Sequence, residues 1–502
     1  MKALKPSKKW LLTAIGLLLA LLILKIILFL TAKPKITVDY VAKYNQISCP
    51  QNCNPNDNAE PYYQKSFEAF VEMPDELRRI YINWPTDFND AEQSLLEKWL
   101  ISNTLAFEYF KEAINKPYYW IERKSEEDNY VGSMKAPDLA QLRKLTDALI
   151  WDAKLKAIQG QFQLAFENIL GSYKAGSHKC CPNLLLMEQH TGLRIKYDAV
   201  HGAMVILDKS KVDNKTLEFL QGTLQQELDK DTYVPGCQTE KLLHYDTLQR
   251  TFIDDGKGTG RLWWRIGFDV VIPLSGEGEI YERKLKLSCF TGPTRNQVAD
   301  QIEQTAALFD CVMTKTPWQI KDEGRDYFKE MENIKKRNIS LETLGIGIDA
   351  GGIFHSYHKT ISQTGALIAV LAILRYKDDT GQFPDSLDKL VSTGYLRSIP
   401  TDPYSNSALV YKLTEDKFKL YSVGKDFEDN GGVIEVINKA RQEPGFRGTT
   451  IEPYVHSPDI VYWPVKDLMK LRCEFTFEET ERLKAEKETE AQKEIEEANQ
   501  LD

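Results

Sequence analysis

Beyond the first nine residues the chain has no run of basic residues longer than Lys335-Lys336-Arg337, although it carries 64 Lys and Arg against 73 Asp and Glu, a formal net charge of -9. A duplex-binding protein needs clustered cations to displace counterions, so nucleic acid is excluded as a partner. Paired Cys-x-x-Cys knuckles are also missing. Cys49 and Cys53 stand four apart and Cys180 directly precedes Cys181, which is not the spacing of structural zinc. There is no Gly-x-Ser-x-Gly elbow, and Gly171-Ser172-Tyr173 does not make one. His355 and His358 lie three apart with no interposed Glu and no third ligand, so they read as surface or capping histidines. The run DDGKGTGR at residues 254–261 lacks P-loop spacing and a following apolar helix, and reads as a flexible turn. The Trp263-Trp264 pair reads as core packing before it reads as a sugar or partner platform. No complete catalytic constellation is left.

What is present begins with 502 residues that are 42% hydrophobic, enough for two or three cores. After MKALKPSKK comes an apolar run over residues 10–30, about 31 Å as a helix, which matches a bilayer's hydrocarbon core. Lys2, Lys5, Lys8 and Lys9 precede it, so the positive-inside rule places residues 1–9 in the cytoplasm and sends the bulk across. Lys25 lies near the far end, where it can snorkel. A cleaved leader cut after Ala32 would put Leu30 at the minus-three position, a poor fit. The expectation is a single-pass inner-membrane protein, anchored through residues 10–30 and mostly extracytoplasmic, with protein partners in the cell envelope. All eight cysteines lie beyond the anchor. In an oxidising compartment they read as disulfides of undetermined pairing or as buried thiols.

Residues 31–85 read as linker and loop, with the Asn/Pro-rich knot CPQNCNPNDNAEP near its middle. Residues 86–340 read as a mainly helical body. Its first pattern places Leu95, Trp99, Ile101 or Ser102, Ala106, Tyr109 and Ile114 on one face, ending at Pro117. A hairpin follows, with the stripe Leu142, Leu145, Leu149, Ala153, Ala157, a break at Gly160, and Phe162, Ala165, Phe166, Ile169 beyond it. It resembles one tetratricopeptide-type unit, but no second copy follows at that period. Further helices are expected over 181–207, 215–228, 298–308 and 321–336. Residues 238–318 form a mixed insertion in which strand and helix are equally supported. The Glu/Lys-rich tail, 467–502, reads as a solvated helix.

Residues 350–466 form a separate module. The helix SQTGALIAVLAILRY at 362–376 follows a helix-breaking DAGG and ends at Gly381. A short Leu-rich helix comes next, then turns, then strands VYKL and KFKLYSV about a polar turn at 414–417. This order resembles the C-terminal domain of the major pseudopilin of type II secretion systems. The matching residues are Gly381, Phe383, Pro384, Pro400, Asp402, Pro403, Tyr411, Leu420, Tyr421, Ser422, Gly424, Asp426, Gly431, Gly432, Asp459, Ile460 and Trp463. The chain departs from that family in two ways: no prepilin cleavage motif precedes the apolar N-terminal run, and residues 433–457 are inserted before Asp459. The resemblance implies calcium on the last loop. Leu420 through its carbonyl, Ser422, Asp426, Asp429 and Asp459 are its candidate ligands, with Glu428 beside them, a set of oxygens of the kind calcium takes on a glycine-flexed loop.

The fold class expected is therefore α+β: an N-terminal transmembrane helix, a mainly helical body, and a C-terminal helix packed on a small antiparallel sheet. The function expected is binding or assembly. The alternative is an envelope hydrolase with its site in residues 237–311, drawing on His244, Asp254, Asp255 or His355.

Overall fold

The computed structural model describes residues 8–51, 54–77, 89–126, 128–265, 286–337, 348, 350–414, 417–442, 449–456 and 458–465. These residues are mostly helical, with a small antiparallel sheet near the C-terminus. In chain order the helices are α1 (Lys8–Thr31), α2 (Tyr40–Ser48), α3 (Glu60–Ala69), α4 (Asp90–Ser102), α5 (Thr104–Ile114), α6 (Pro137–Ile158), α7 (Phe162–Ser177) and α8 (Leu186–Lys209). They continue with α9 (Asn214–Lys230), α10 (Gln238–Thr251), α11 (Arg295–Met313), α12 (Pro317–Glu323), α13 (Tyr327–Lys336), α14 (Ala350–Thr380) and α15 (Leu387–Ser392). The strands are β1 (Thr401–Asp402), β2 (Ser407–Ala408), β3 (Val410–Leu413), β4 (Phe418–Ser422), β5 (Glu435–Gln442), β6 (Thr449–His456) and β7 (Ile460–Trp463).

The transmembrane expectation is corrected. Residues 10–30 do lie in a helix, α1, but among the described residues no helix is long and apolar enough to cross a membrane. The single-pass anchor, the signal-anchor reading and the inner-membrane placement that followed from it are not supported.

Where residues 31–85 are described, they carry two helices, α2 and α3, in place of the expected linker and loop. Asp39 caps α2 by accepting from the Ala42 amide. In α3, Tyr63 is fully buried among Phe67, Phe110 and Tyr119, and its hydroxyl lies 3.0 Å from His178 Nδ1. The helical pattern that follows is two helices. The break is at Asn103, a buried side chain that accepts from the Val71 amide and donates to the carbonyls of Val71 and Trp99. The break re-phases the faces, so Leu96, Trp99, Leu100, Ala106, Phe110 and Ala113 are buried while Ile101 is exposed.

The hairpin expected after Pro137 is α6 and α7. Leu142, Leu145, Leu149, Ala153 and Ala157 are all buried, and Gly160 makes the turn at φ 75°. Next to it α7 and α8 pack backbone to backbone: a Cβ on Gly176 would meet the Gly192 carbonyl at 2.7 Å. Across this layer runs α14, whose residues 366–373 are all buried. A helix apolar on every side belongs in a core. The DAGG run does not end helix as expected, because Ala350, Ile353 and Phe354 pack against Phe309, Val312 and Tyr327 and hold α14 helical through Gly351 and Gly352. Such packing outweighs the roughly 1 kcal/mol penalty of each glycine.

The main sheet has the order β3-β4-β7, antiparallel throughout, pairing Tyr411 with Leu420 and Leu420 with Trp463. Phe418, Leu420, Tyr462 and Trp463 join the same core as α14. The inserted residues form the antiparallel pair β5-β6. In the mixed insertion α10 and α11 are helical and Phe252 bridges Leu262, while residues 266–285 lie outside the described residues, as does the tail from 466. Cys180, Cys181, Cys237 and Cys311 are free thiols, and Cys53 and Cys473 lie outside the described residues.

Candidate functional site: a carboxylate loop closed by the last strand

The candidate ligands sit where β4 runs out. Gly424 takes a left-handed backbone at φ 72°, and a Cβ there would meet the Pro458 carbonyl at 2.1 Å, so the chain entering β7 passes directly against it. A single tight turn, Gly424–Asp426, follows, then Phe427 at φ 64°. Asp426 accepts from the Glu428 amide at 3.2 Å and from Asn430 Nδ2 at 2.7 Å. Asp429 accepts from the Tyr421 hydroxyl, from the Gly431 amide at 2.9 Å, and from Lys412 Nζ at 3.2 and 3.3 Å. Asp459 accepts from the amides of Asn430 at 3.3 Å and Gly432 at 2.7 Å.

The charges of these groups differ by environment. The Tyr421 hydroxyl, aided by the Gly431 amide and Lys412, holds the Asp429 carboxyl below its ordinary range. Burial pushes Asp459 above its own; the two loop amides oppose this, and the nearby charges of Asp429 and Asp426 reinforce it. A carboxylate destabilised by burial and by like charges gains from a cation nearby.

The chain matches no known family, characterised protein or solved structure.

Of the five candidate ligands, Asp426, Asp429 and Asp459 gather around Asn430 and the glycine pair. Ser422 adjoins them but turns away, donating to Asp402 Oδ1 at 2.7 Å and accepting from the Gly424 amide at 3.1 Å. Leu420 is buried in the central strand. Among the described residues no group of three or more His, Cys, Asp or Glu side chains converges as a metal cluster. A calcium ion here would depend on backbone oxygens and on displacing Lys412 or Asn430 from their carboxylates.

Three residues were not anticipated in these roles. Asp402 is fully buried and accepts from the Ser422 hydroxyl, the Val423 and Tyr404 amides and the Ser405 hydroxyl, which ties the β1 turn to the end of β4. Lys412 and Asn430 are the partners that hold Asp429 and Asp426. The Thr-Asp-Pro wording signalled a turn at Asp402, but only the fold brings it to Ser422. Lys412 was visible as a polar strand position without a partner.

The residues of the hydrolase alternative are dispersed. His244 is buried in α10, its Nε2 has no partner among the described residues, and burial holds the ring down at about 4, so it is neutral near pH 7. Asp254 pairs with Arg295 at 3.1 Å. Asp255 caps its own turn, accepting from the Lys257 and Thr259 amides. His355 lines a cavity that none of the other three lines.

Proposed function

We propose that the chain is a binding or assembly protein whose C-terminal module, from residue 350 onward, is pseudopilin-like and is braced by calcium at the loop that β7 closes. The order of α14, α15, β3, β4, the glycine pair and β7 supports the family reading. One observation carries the calcium part. Asp459 hydrogen-bonds both loop amides although the 433–457 insertion precedes it, because that insertion pairs with itself as β5-β6.

Calcium supplies positive charge that several oxygens can share without fixed geometry. Asp426, Asp429 and Asp459 would hold it, with backbone oxygens of the loop as the neutral ligands in place of Ser422, which is turned to Asp402, and of Leu420, which lies in the central strand. Lys412 now supplies part of that charge to Asp429. The test is thermal melting of the whole chain in calcium and in chelator. The reading expects a higher melting temperature in calcium, and loss of the difference in an Asp426→Ala, Asp429→Ala double variant. An identical melt in calcium and chelator contradicts the calcium part.

A further inference from the structure

A second feature lies on the other side of the same loop. Between α12, α13, α14 and the turn after β4 is a cavity of about 510 Å³, within the span typical of small-molecule sites, roughly 300–1,000 Å³. Its walls are aromatic. Phe328 packs edge-on to Phe354 at 5.3 Å, and Tyr404 lies 6.1 Å from Phe427. His355 stacks at 6.1 Å from Phe328, and its Nδ1 is buried without a hydrogen-bond partner among the described residues.

The charge of the lining is lopsided. Asp326 is its one carboxylate and already caps α13 by accepting from the Lys329 amide. Arg325 is balanced by a two-pronged pair with Glu330. Lys321 and Lys425 have no ion-pair partner among the described residues. Lys321 sits 4.4 Å over the Phe427 ring, and Lys425 is partly desolvated and has Lys359 nearby. Phe427 itself holds a left-handed backbone, a conformation that is strained for a bulky residue. Strain of this kind persists where the surroundings enforce it, and here it brings an aromatic ring against a lysine.

We propose that this cavity binds a small planar aromatic anion, an aryl carboxylate or aryl phosphate, with its ring among Phe328, Phe354, Tyr404 and Phe427 and its charge toward Lys321 and Lys425. His355 Nδ1 gives the ligand a polar contact inside the apolar wall. This inference does not need calcium on the loop, since both lysines and all four rings are in place without it.

The test is titration calorimetry of the whole chain with 2-naphthoate, with 2-naphthylmethanol as the uncharged analogue and acetate as the ringless anion. One molecule of 2-naphthoate per chain is expected to bind. The alcohol should bind at least tenfold more weakly, acetate should not compete, and Lys425→Met and Lys321→Met should each weaken binding about tenfold. Absence of binding, equal binding of the alcohol, competition by acetate, or unchanged affinity in both lysine variants would each overturn the proposal. If a lysine variant does not fold, the comparison of ligands on the native chain still decides it.

Discussion

The contact between Gly424 and Pro458 can be measured by comparing two glycines that share a backbone conformation. Gly424 and Gly431 have φ of 72° and 78°, yet a Cβ on Gly431 meets nothing within 4 Å among the described residues while one on Gly424 meets the Pro458 carbonyl at 2.1 Å. In Gly431→Ala only the left-handed strain is felt, about 1 kcal/mol. In Gly424→Ala the backbone at Pro458 must also move, and with it Asp459, which accepts from Asn430 and Gly432. Hydrogen bonds to a charged group are each worth about 1.5–3 kcal/mol, so their weakening should add about 3 kcal/mol. Native-state hydrogen exchange reads this locally, which matters in a chain too large for a single unfolding free energy. Peptides covering 424–432 and 458–465 should open roughly a hundredfold more readily in Gly424→Ala than in Gly431→Ala. Equal exchange in the two variants would refute the closure of this loop by β7.

Two further predictions concern the helical body. Asp138 pairs with Lys179 and Arg123, and Arg123 also pairs with Glu188, all four side chains being buried. Burial pushes the Asp138 carboxyl up, but Lys179 and Arg123 outweigh it and hold it at about 2. Its stabilisation is present above the ordinary carboxylate range and is lost as pH falls toward 2. Asp138→Asn at pH 7 should lower the opening free energy of α6 and α8 by about 3–5 kcal/mol in native-state hydrogen exchange, because it leaves buried positive charge uncompensated; a loss under 1 kcal/mol would contradict this. His244 is depressed by burial from 6.5 to about 4, so its stabilisation is full above pH 6.5 and is lost as pH falls toward 4, about 3 kcal/mol in all. His244→Leu should therefore unfold at a lower pH than the native chain in an acid titration followed by circular dichroism, and an unchanged midpoint would argue against it.

Much of the helical body could be read from periodicity where one apolar stripe met one packing partner. The α6–α7 hairpin with its turn at Gly160, and the β3–β4 hairpin about residues 414–417, lie where the pattern placed them. The failures came where distant contacts decide. Asn103 splits one helical pattern because Val71, thirty-two positions earlier, takes its hydrogen bonds. Glycines 351 and 352 stay helical because Phe354 is packed against another layer. The apolar run at 10–30 looked like a membrane span on length and hydropathy, yet no described helix qualifies as one. At the loop, the carboxylates were visible as a cluster of acids and glycines. Their setting was not, since Lys412 reaches Asp429 and Pro458 reaches Gly424 only once β3 and β7 pair with β4.

Calcium titration calorimetry on the whole chain decides whether Asp426, Asp429 and Asp459 together hold one calcium ion, as proposed above. One site per chain is expected in the native protein and none in Asp459→Asn, which keeps the size of the side chain and removes its charge. No heat of binding in the native chain, or an undiminished site in Asp459→Asn, would contradict it.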